Sequence, residues 1–175
     1  MARLYRFNDD EKDLISRTAG KAELLTRSYY KIEAKDWKNI KFDIKSLEDL
    51  NENERADDAF AQLAKYRGVS GKASQGYRYH FYRVCLQDDN ILKAVKERKE
   101  HLSLKPLLMY VLTHELIHVV RFSRYQGNFD SCSREREREE KTVHNDTYQI
   151  LKDSDMCGMN SVLDHYRDHR IIENQ

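Results

Sequence analysis

Residues 111–120 read Val-Leu-Thr-His-Glu-Leu-Ile-His-Val-Val and contain the motif H-E-x-x-H. The two histidines, His114 and His118, are four residues apart, so on a helix they share one face and lie one turn apart. Their imidazoles can then bind one metal ion, and the intervening Glu115 can act on a water bound to that ion. The motif therefore predicts a zinc-dependent hydrolase.

The residues around this motif predict a buried, central helix. The helix is expected to begin at Pro106, whose fixed φ suits a first turn, and to end near Tyr125, before Gly127 and Asn128. Apolar side chains lie nearly all round it, which is typical of a helix in the protein interior. Burying two imidazoles and a carboxylate there without partners would cost on the order of a few kcal/mol. A bound metal ion offsets that cost.

A catalytic zinc ion has three protein ligands and keeps a fourth position for water, so H-E-x-x-H is one ligand short. A second helix is expected over residues 133–152, with Ser133 as its N-cap. On this helix Glu140 and His144 are one turn apart on the less polar face. The alternating arginines and glutamates before them are expected to face water.

These motifs resemble the zincin metallopeptidases, whose signature surrounds the two histidines with uncharged residues and continues into an apolar tail, as residues 111–120 do. The resemblance is closest to the gluzincin branch, in which the third ligand is a glutamate on a second helix downstream. The metzincin signature H-E-x-x-H-x-x-G-x-x-H is not met. Arg121 stands where it has glycine, and Arg124 stands where it has the third histidine.

The resemblance covers residues 111–151 and implies an α+β fold of zincin type. A small mixed sheet would accompany a buried H-E-x-x-H helix and a following helix that carries the third ligand. The small size of the chain is similar to that of minimal zincins, which lack the large C-terminal domain of the thermolysin-like enzymes.

The gluzincin pattern points to a glutamate as the third ligand, and Glu137, Glu139 and Glu140 fall 19, 21 and 22 residues after His118. We expect Glu140, because His144 shares its face one turn on, and the residue at that position in gluzincins often supports the ligand. The reverse assignment, with His144 as the ligand and Glu140 behind it, is chemically as sound. Glu137 and Glu139 are further alternatives.

The resemblance implies hydrolysis of peptide bonds by a metal-activated water. Glu115 would be the general base that takes the proton of the water and passes it to the leaving amine, and His144 would assist at the same site. The group that stabilises the oxyanion stays open between four residues: Tyr148, His165, Tyr166 and His169. The spacing of His165 and His169 also mimics a second metal pair, which we do not expect because no convincing set of carboxylates accompanies it.

Two other classes of protein fit the same motif. A latent or non-catalytic zinc protein could use residues 156–175 to cover its own cleft, and amidases or deformylase-like enzymes that act on small substrates also use H-E-x-x-H. Zinc suits two histidines and a glutamate best, although Co²⁺, Mn²⁺ or Fe²⁺ could occupy such a site.

The chain is expected to form a single domain, residues 1–175, in two halves. Residues 1–102 would form an α/β half, and residues 103–175 a helical half that binds the metal. The remaining predicted elements are helices over 8–32, 57–66, 91–101 and 160–171 and strands over 40–44 and 77–87. The strand over 77–87 is expected at a sheet edge, where an extended substrate could add as a further strand.

Charge and composition limit the partners. Thirty-one Lys and Arg nearly balance 30 Asp and Glu, which argues against a dedicated nucleic-acid binder. No signal peptide is visible, and no apolar run reaches the ~20 residues that span a bilayer. The three cysteines, Cys85, Cys132 and Cys157, form no paired motif and are expected to be free thiols. The sequence thus predicts a soluble cytoplasmic enzyme with a peptide or protein substrate, and its oligomeric state stays open.

Overall fold

The computed structural model describes residues 4–71, 76–97, 101–124 and 132–170. These residues form a mixed α+β fold with one small sheet, as expected. The helices are α1 Asp9–Tyr29, α2 Ala34–Trp37, α3 Asp88–Lys96, α4 Leu104–Arg124, α5 Ser133–Leu151, α6 Met159–His165 and α7 Arg167–Arg170, and the strands are β1 Lys41–Lys45, β2 Ala61–Ser70 and β3 Tyr77–Leu86. In this described part of the chain, no helix has the length and apolar character needed to cross a bilayer.

The first helix, α1, begins where the sequence predicts. Asn8 and Glu11 form a capping box, in which each side chain accepts a hydrogen bond of 2.8 Å from the backbone N–H of the other residue. The helix ends at Tyr29, slightly before the expected end at residue 32, because Lys31 adopts a left-handed conformation with φ of 53°. The body of α1 packs against α4.

The sheet has the strand order β1-β3-β2, with β1 parallel and β2 antiparallel to β3. The predicted strands over 40–44 and 77–87 are confirmed as β1 and β3. The expected edge position of β3 is wrong, since β3 pairs with β1 on one side and with β2 on the other. The edge strands of this sheet are β1 and β2.

The helix predicted over residues 57–66 is wrong, because this part of the chain leads into β2. Leu63 lies opposite Val84, so pairing with β3 and packing against the core outweigh the helix propensity of Ala, Leu and Gln. Gly68 lies within the strand opposite Tyr79. A Cβ at this position would come within 2.3 Å of the Tyr79 ring, so only glycine lets that ring lie across the strand.

The centre of the fold is α4, which contacts α1, α3, α5, α6, β2 and β3. Its residues 106–120 are all buried, as the apolar pattern predicts. The main hydrophobic core combines side chains from both predicted halves of the chain, including Phe7, Val84, Leu112 and Met159. The H-E-x-x-H motif therefore sits on the most rigidly packed element of the described structure.

Several predicted element ends differ from the structure or lie beyond the described residues. Pro106 is the third residue of α4, not the first, and α3 ends at Lys96. The predicted helix over 160–171 is two short helices, α6 and α7. The predicted helix ends at Tyr125 and Ile171, and the break at Gly127 and Asn128, lie outside the described residues.

Candidate metal centre

The two histidines of the motif converge on one point. His114 and His118 are 9% and 5% exposed, and their Nε2 atoms are 3.2 Å apart. Within the described residues, neither buried Nδ1 atom has a hydrogen-bond partner. The ring orientations are therefore set by packing, such as the stacking of His118 on Phe122 with centroids 5.5 Å apart.

Glu140 on α5 approaches both histidines. One carboxylate oxygen, Oε1, is 3.1 Å from Nε2 of His118, and the other, Oε2, is 3.4 Å from Nε2 of His114. The Glu140 side chain is 53% exposed, so it borders solvent while the two imidazoles lie beneath it. Together these three side chains form a group that can hold a metal ion.

The spacing of the three donors fits a tetrahedral ion. Ligands bound at 2.0–2.1 Å in a tetrahedron are about 3.3 Å from one another. The closest approaches between the three side chains are 3.1, 3.2 and 3.4 Å, with the two Glu140 distances running to different carboxylate oxygens. Two imidazoles and a carboxylate also form a known ligand set of catalytic zinc sites. The residues present therefore fit a zinc-sized ion.

A second pair of side chains holds α5 in register with α4. Arg121 donates two hydrogen bonds, of 2.7 and 2.9 Å, to the carboxylate of Glu139. Nearby, the Tyr30 hydroxyl donates to Asp146 at 2.6 Å and ties α5 to the residue that follows α1. Because Glu139 directly precedes Glu140, the Arg121 contact fixes the helix turn that presents Glu140 to the histidines.

The other predicted ligands are placed differently. Glu137 is exposed and pairs with Lys141 at 3.2 Å, as expected for a solvated helix face. Glu139 is occupied by Arg121. His144 directs Nδ1 to the Tyr110 hydroxyl at 2.8 Å, and its Nε2 lies 4.0 Å from Oε2 of Glu140. Of the candidate third ligands, Glu140 is the one that reaches both histidines.

The electrostatics of the site favour a cation. Burial raises the pKa of the Glu115 carboxyl. Burial alone would also raise the pKa of Glu140, but hydrogen bonds with His114 and His118 hold it well below its usual range. Burial works against a charge on His118 as well, yet the Glu140 carboxylate raises its pKa. Carboxylates and imidazoles thus share a site where a positive ion would satisfy both.

A cleft of about 690 Å³ opens over the triad. On one side it is lined by residues 58–63, which lead into the first residues of the edge strand β2. On the other side it is lined by residues of α5, α6 and α7, and Glu115 contributes to its surface. The edge strand next to the candidate site is therefore β2, a segment that the sequence predicts as helix.

Three of the four candidates for oxyanion stabilisation line this cleft, namely His165, Tyr166 and His169. The fourth, Tyr148, is not among the residues that line the cleft, and its ring packs under the Arg170 guanidinium at 4.1 Å. In the described residues, His165 and His169 belong to no group of three metal-binding side chains.

Tyr110 is a site residue that the sequence reasoning missed. It lies one turn before His114, and its ring stacks on Tyr166 with centroids 4.2 Å apart. Its position four residues before His114 is the signal that could have placed it on the same helix face.

Comparison of the chain with protein-family models, with curated proteins and with solved structures found no match. Function is therefore inferred from the residues of the site itself.

Proposed function

We propose that the protein is a zinc-dependent metallopeptidase of zincin type, with the gluzincin arrangement of ligands. His114, His118 and Glu140 would hold the zinc ion, and Glu115 would be the general base. The observation that carries the proposal is the convergence of the three side chains, with closest approaches of 3.1 to 3.4 Å, at a cleft that Glu115 also lines.

Each residue has a distinct part in the proposed reaction. A zinc ion in this site would supply a Lewis acid that lowers the pKa of a water toward neutrality and polarises a carbonyl. Glu115 accepts the proton of the attacking water and later delivers it to the leaving amine. A donor from the α6–α7 wall, Tyr166 or His169, would face the negative charge that develops on the carbonyl oxygen.

The shape of the cleft favours an extended peptide over a small substrate. Within the described sheet, one edge of β2 pairs with β3, and no strand pairs with the other. Ala61, Gln62 and Leu63, at the start of β2, line the cleft. An extended peptide could add to this edge by main-chain hydrogen bonds, which would lay its backbone beside the proposed metal ligands. In this proposal β2, and not β3 as the sequence predicts, is the edge strand that binds the substrate.

The test is hydrolysis of casein and of quenched-fluorescence peptide libraries by zinc-loaded protein. Wild-type protein should cleave them, and Glu115→Gln should lose about 100-fold or more of the rate, as expected for loss of a general base. Glu137→Gln, an exposed change on α5, is the matched control and should retain activity. Zinc-loaded protein that cleaves no library member, or a Glu115→Gln variant as active as wild type, would refute the peptidase assignment.

A latent or non-catalytic zinc protein is the second candidate. The observation in its favour is that the wall of the cleft is built from the end of the described chain: the ring of His169 lies 4.9 Å from that of His144, and Tyr166 stacks on Tyr110. X-ray absorption of the zinc-loaded protein separates the two functions. Two imidazole and two oxygen ligands, from Glu140 and a water, support an enzyme, whereas a third imidazole in place of the water supports latency.

A further inference from the structure

A buried hydrogen bond beside the proposed metal ligands decides the chemistry of His144. The Tyr110 hydroxyl and Nδ1 of His144 are 2.8 Å apart. Both side chains are buried, with 1% and 8% of their surfaces exposed. On the other side of the imidazole, Nε2 lies 4.0 Å from the Glu140 carboxylate.

We propose that Tyr110 is a positioning residue that fixes His144 as the Nε2–H tautomer. His144 then donates a hydrogen bond to Glu140 and is not itself a metal ligand. The link to the metal rests on the proposed function, whereas the tautomer does not.

The tautomer follows from counting protons in the buried pair. A tyrosine hydroxyl carries one proton, and in the described structure its hydrogen-bond partner is Nδ1 of His144. If Nδ1 carried a proton, the hydroxyl would have to accept it, and the hydroxyl proton would be buried without an acceptor, which costs about 1–3 kcal/mol. The hydroxyl therefore donates, Nδ1 accepts, and the proton of the imidazole is on Nε2.

A proton on Nε2 determines what His144 can do. A nitrogen that carries a proton has no lone pair for a metal ion, so His144 could bind metal through Nε2 only by moving that proton and losing the hydrogen bond from Tyr110. Nε2 of His144 lies 4.0 Å from Oε2 of Glu140, so a shift of about 1 Å in either side chain brings the N–H to hydrogen-bond distance of the carboxylate. One carboxylate oxygen of Glu140 can bind the ion while the other accepts a hydrogen bond from His144. This resembles the way in which outer residues orient carboxylate ligands in metal sites.

The position of Tyr110 is itself fixed by aromatic stacking. Its ring lies parallel to that of Tyr166, with centroids 4.2 Å apart and an angle of 1° between planes. It is also roughly stacked against His144, at 6.1 Å and 28°. Tyr110→Phe keeps both ring contacts and removes only the hydroxyl, so this variant isolates the hydrogen bond.

The first experiment measures the tautomer directly in the full-length, metal-free protein. Long-range ¹H–¹⁵N NMR of histidine-labelled protein distinguishes Nε2–H from Nδ1–H, and His144→Asn identifies the signals of His144. Wild type should show Nε2–H, and Tyr110→Phe should shift the His144 nitrogens toward a mixture of tautomers. Tyr82→Phe is the matched control, because Tyr82 is also 1% exposed and its hydroxyl has no partner in the described residues.

The second experiment measures zinc affinity by competition with a chelator. Tyr110→Phe should weaken binding about 10- to 100-fold, the range found for outer residues of metal sites, while Tyr82→Phe should bind as wild type does. An Nδ1–H tautomer in wild type, or a Tyr110→Phe variant with unchanged spectra and unchanged affinity, would overturn the proposal. A wild-type protein that shows Nε2–H but binds no zinc supports the tautomer and overturns the proposed function.

Discussion

The two helices that form the candidate site hold their ligands by different means. Residues 106–120 of α4 are buried without interruption, so His114 and His118 are fixed by the hydrophobic core. On α5, four residues are buried (Val143, His144, Thr147 and Leu151), and Glu140 is half exposed. Glu140 is positioned by polar contacts, chiefly the Arg121–Glu139 pair. The site thus joins a rigid half to a half whose position depends on a few hydrogen bonds.

The largest effect is expected from removing a ligand on the rigid helix. His118→Ala deletes a donor that lies within 3.2 Å of both other ligands, and we expect zinc binding to fall below detection while the helix stays folded. Metal content after dialysis and far-ultraviolet circular dichroism measure the two properties. A His118→Ala protein that keeps one equivalent of zinc would show that the metal binds elsewhere.

The next effect distinguishes the glutamates of α5. Glu140→Gln should weaken zinc binding by about 100-fold or more, since a direct ligand contributes more than the 10- to 100-fold of a supporting residue. Glu137→Gln, one turn earlier and paired only with Lys141, should leave affinity unchanged. Equal effects of the two changes would contradict Glu140 as the third ligand.

A smaller effect is expected from breaking the contact that orients α5. Arg121→Met removes both hydrogen bonds between the helices, and Glu139→Gln removes one of them together with the charge. We expect zinc affinity to fall about 10-fold through misplacement of Glu140. Lys141→Met, which removes a surface pair on the same helix, is the control.

A double-mutant cycle identifies the contact itself. Because Arg121 and Glu139 act as a unit, the double variant should be no worse than either single variant, with a coupling energy of about 0.5–3 kcal/mol. Strict additivity of the two changes would show that they act through separate contacts.

The last effect is local and compares the helices within one molecule. Zinc at about 1,000 times its dissociation constant stabilises a protein by about 4 kcal/mol through linkage. In hydrogen exchange, this gain should appear mainly as added protection of α5 around Glu140, since the amides of α4 are already shielded by the core. Equal gains in both helices would remove the distinction between a rigid and a dependent half.

The predictable parts of the fold are those with a strong local period. The apolar pattern predicts the burial of α4, and alternation predicts β1 and β3. Residues 57–66 mislead because Ala, Leu and Gln favour a helix in isolation, whereas pairing with β3 makes the second half of this segment an edge strand. Because the sequence predicts β2 as a helix, it leads us to expect that the substrate binds along β3.

The predictable part of the site is likewise the part within one helix. The charged run before Glu140 is expected to face water, yet Glu139 in that run pairs with Arg121, while Glu140 faces the histidines as expected. Tyr110 has no motif of its own and enters the site only through contact with His144 and Tyr166. Such contacts depend on distances between elements, which sequence spacing does not encode.

By itself, the sequence determined that two histidines and a glutamate share a buried helix, because the spacing of four residues acts within one turn and needs no other element. Only the tertiary structure decided which acidic residue faces them, which strand borders the cleft and which hydroxyl orients His144. Those choices arise from the register between α4 and α5 and from strand pairing across the sheet. Both are set by long-range packing and hydrogen bonds between segments far apart in the chain.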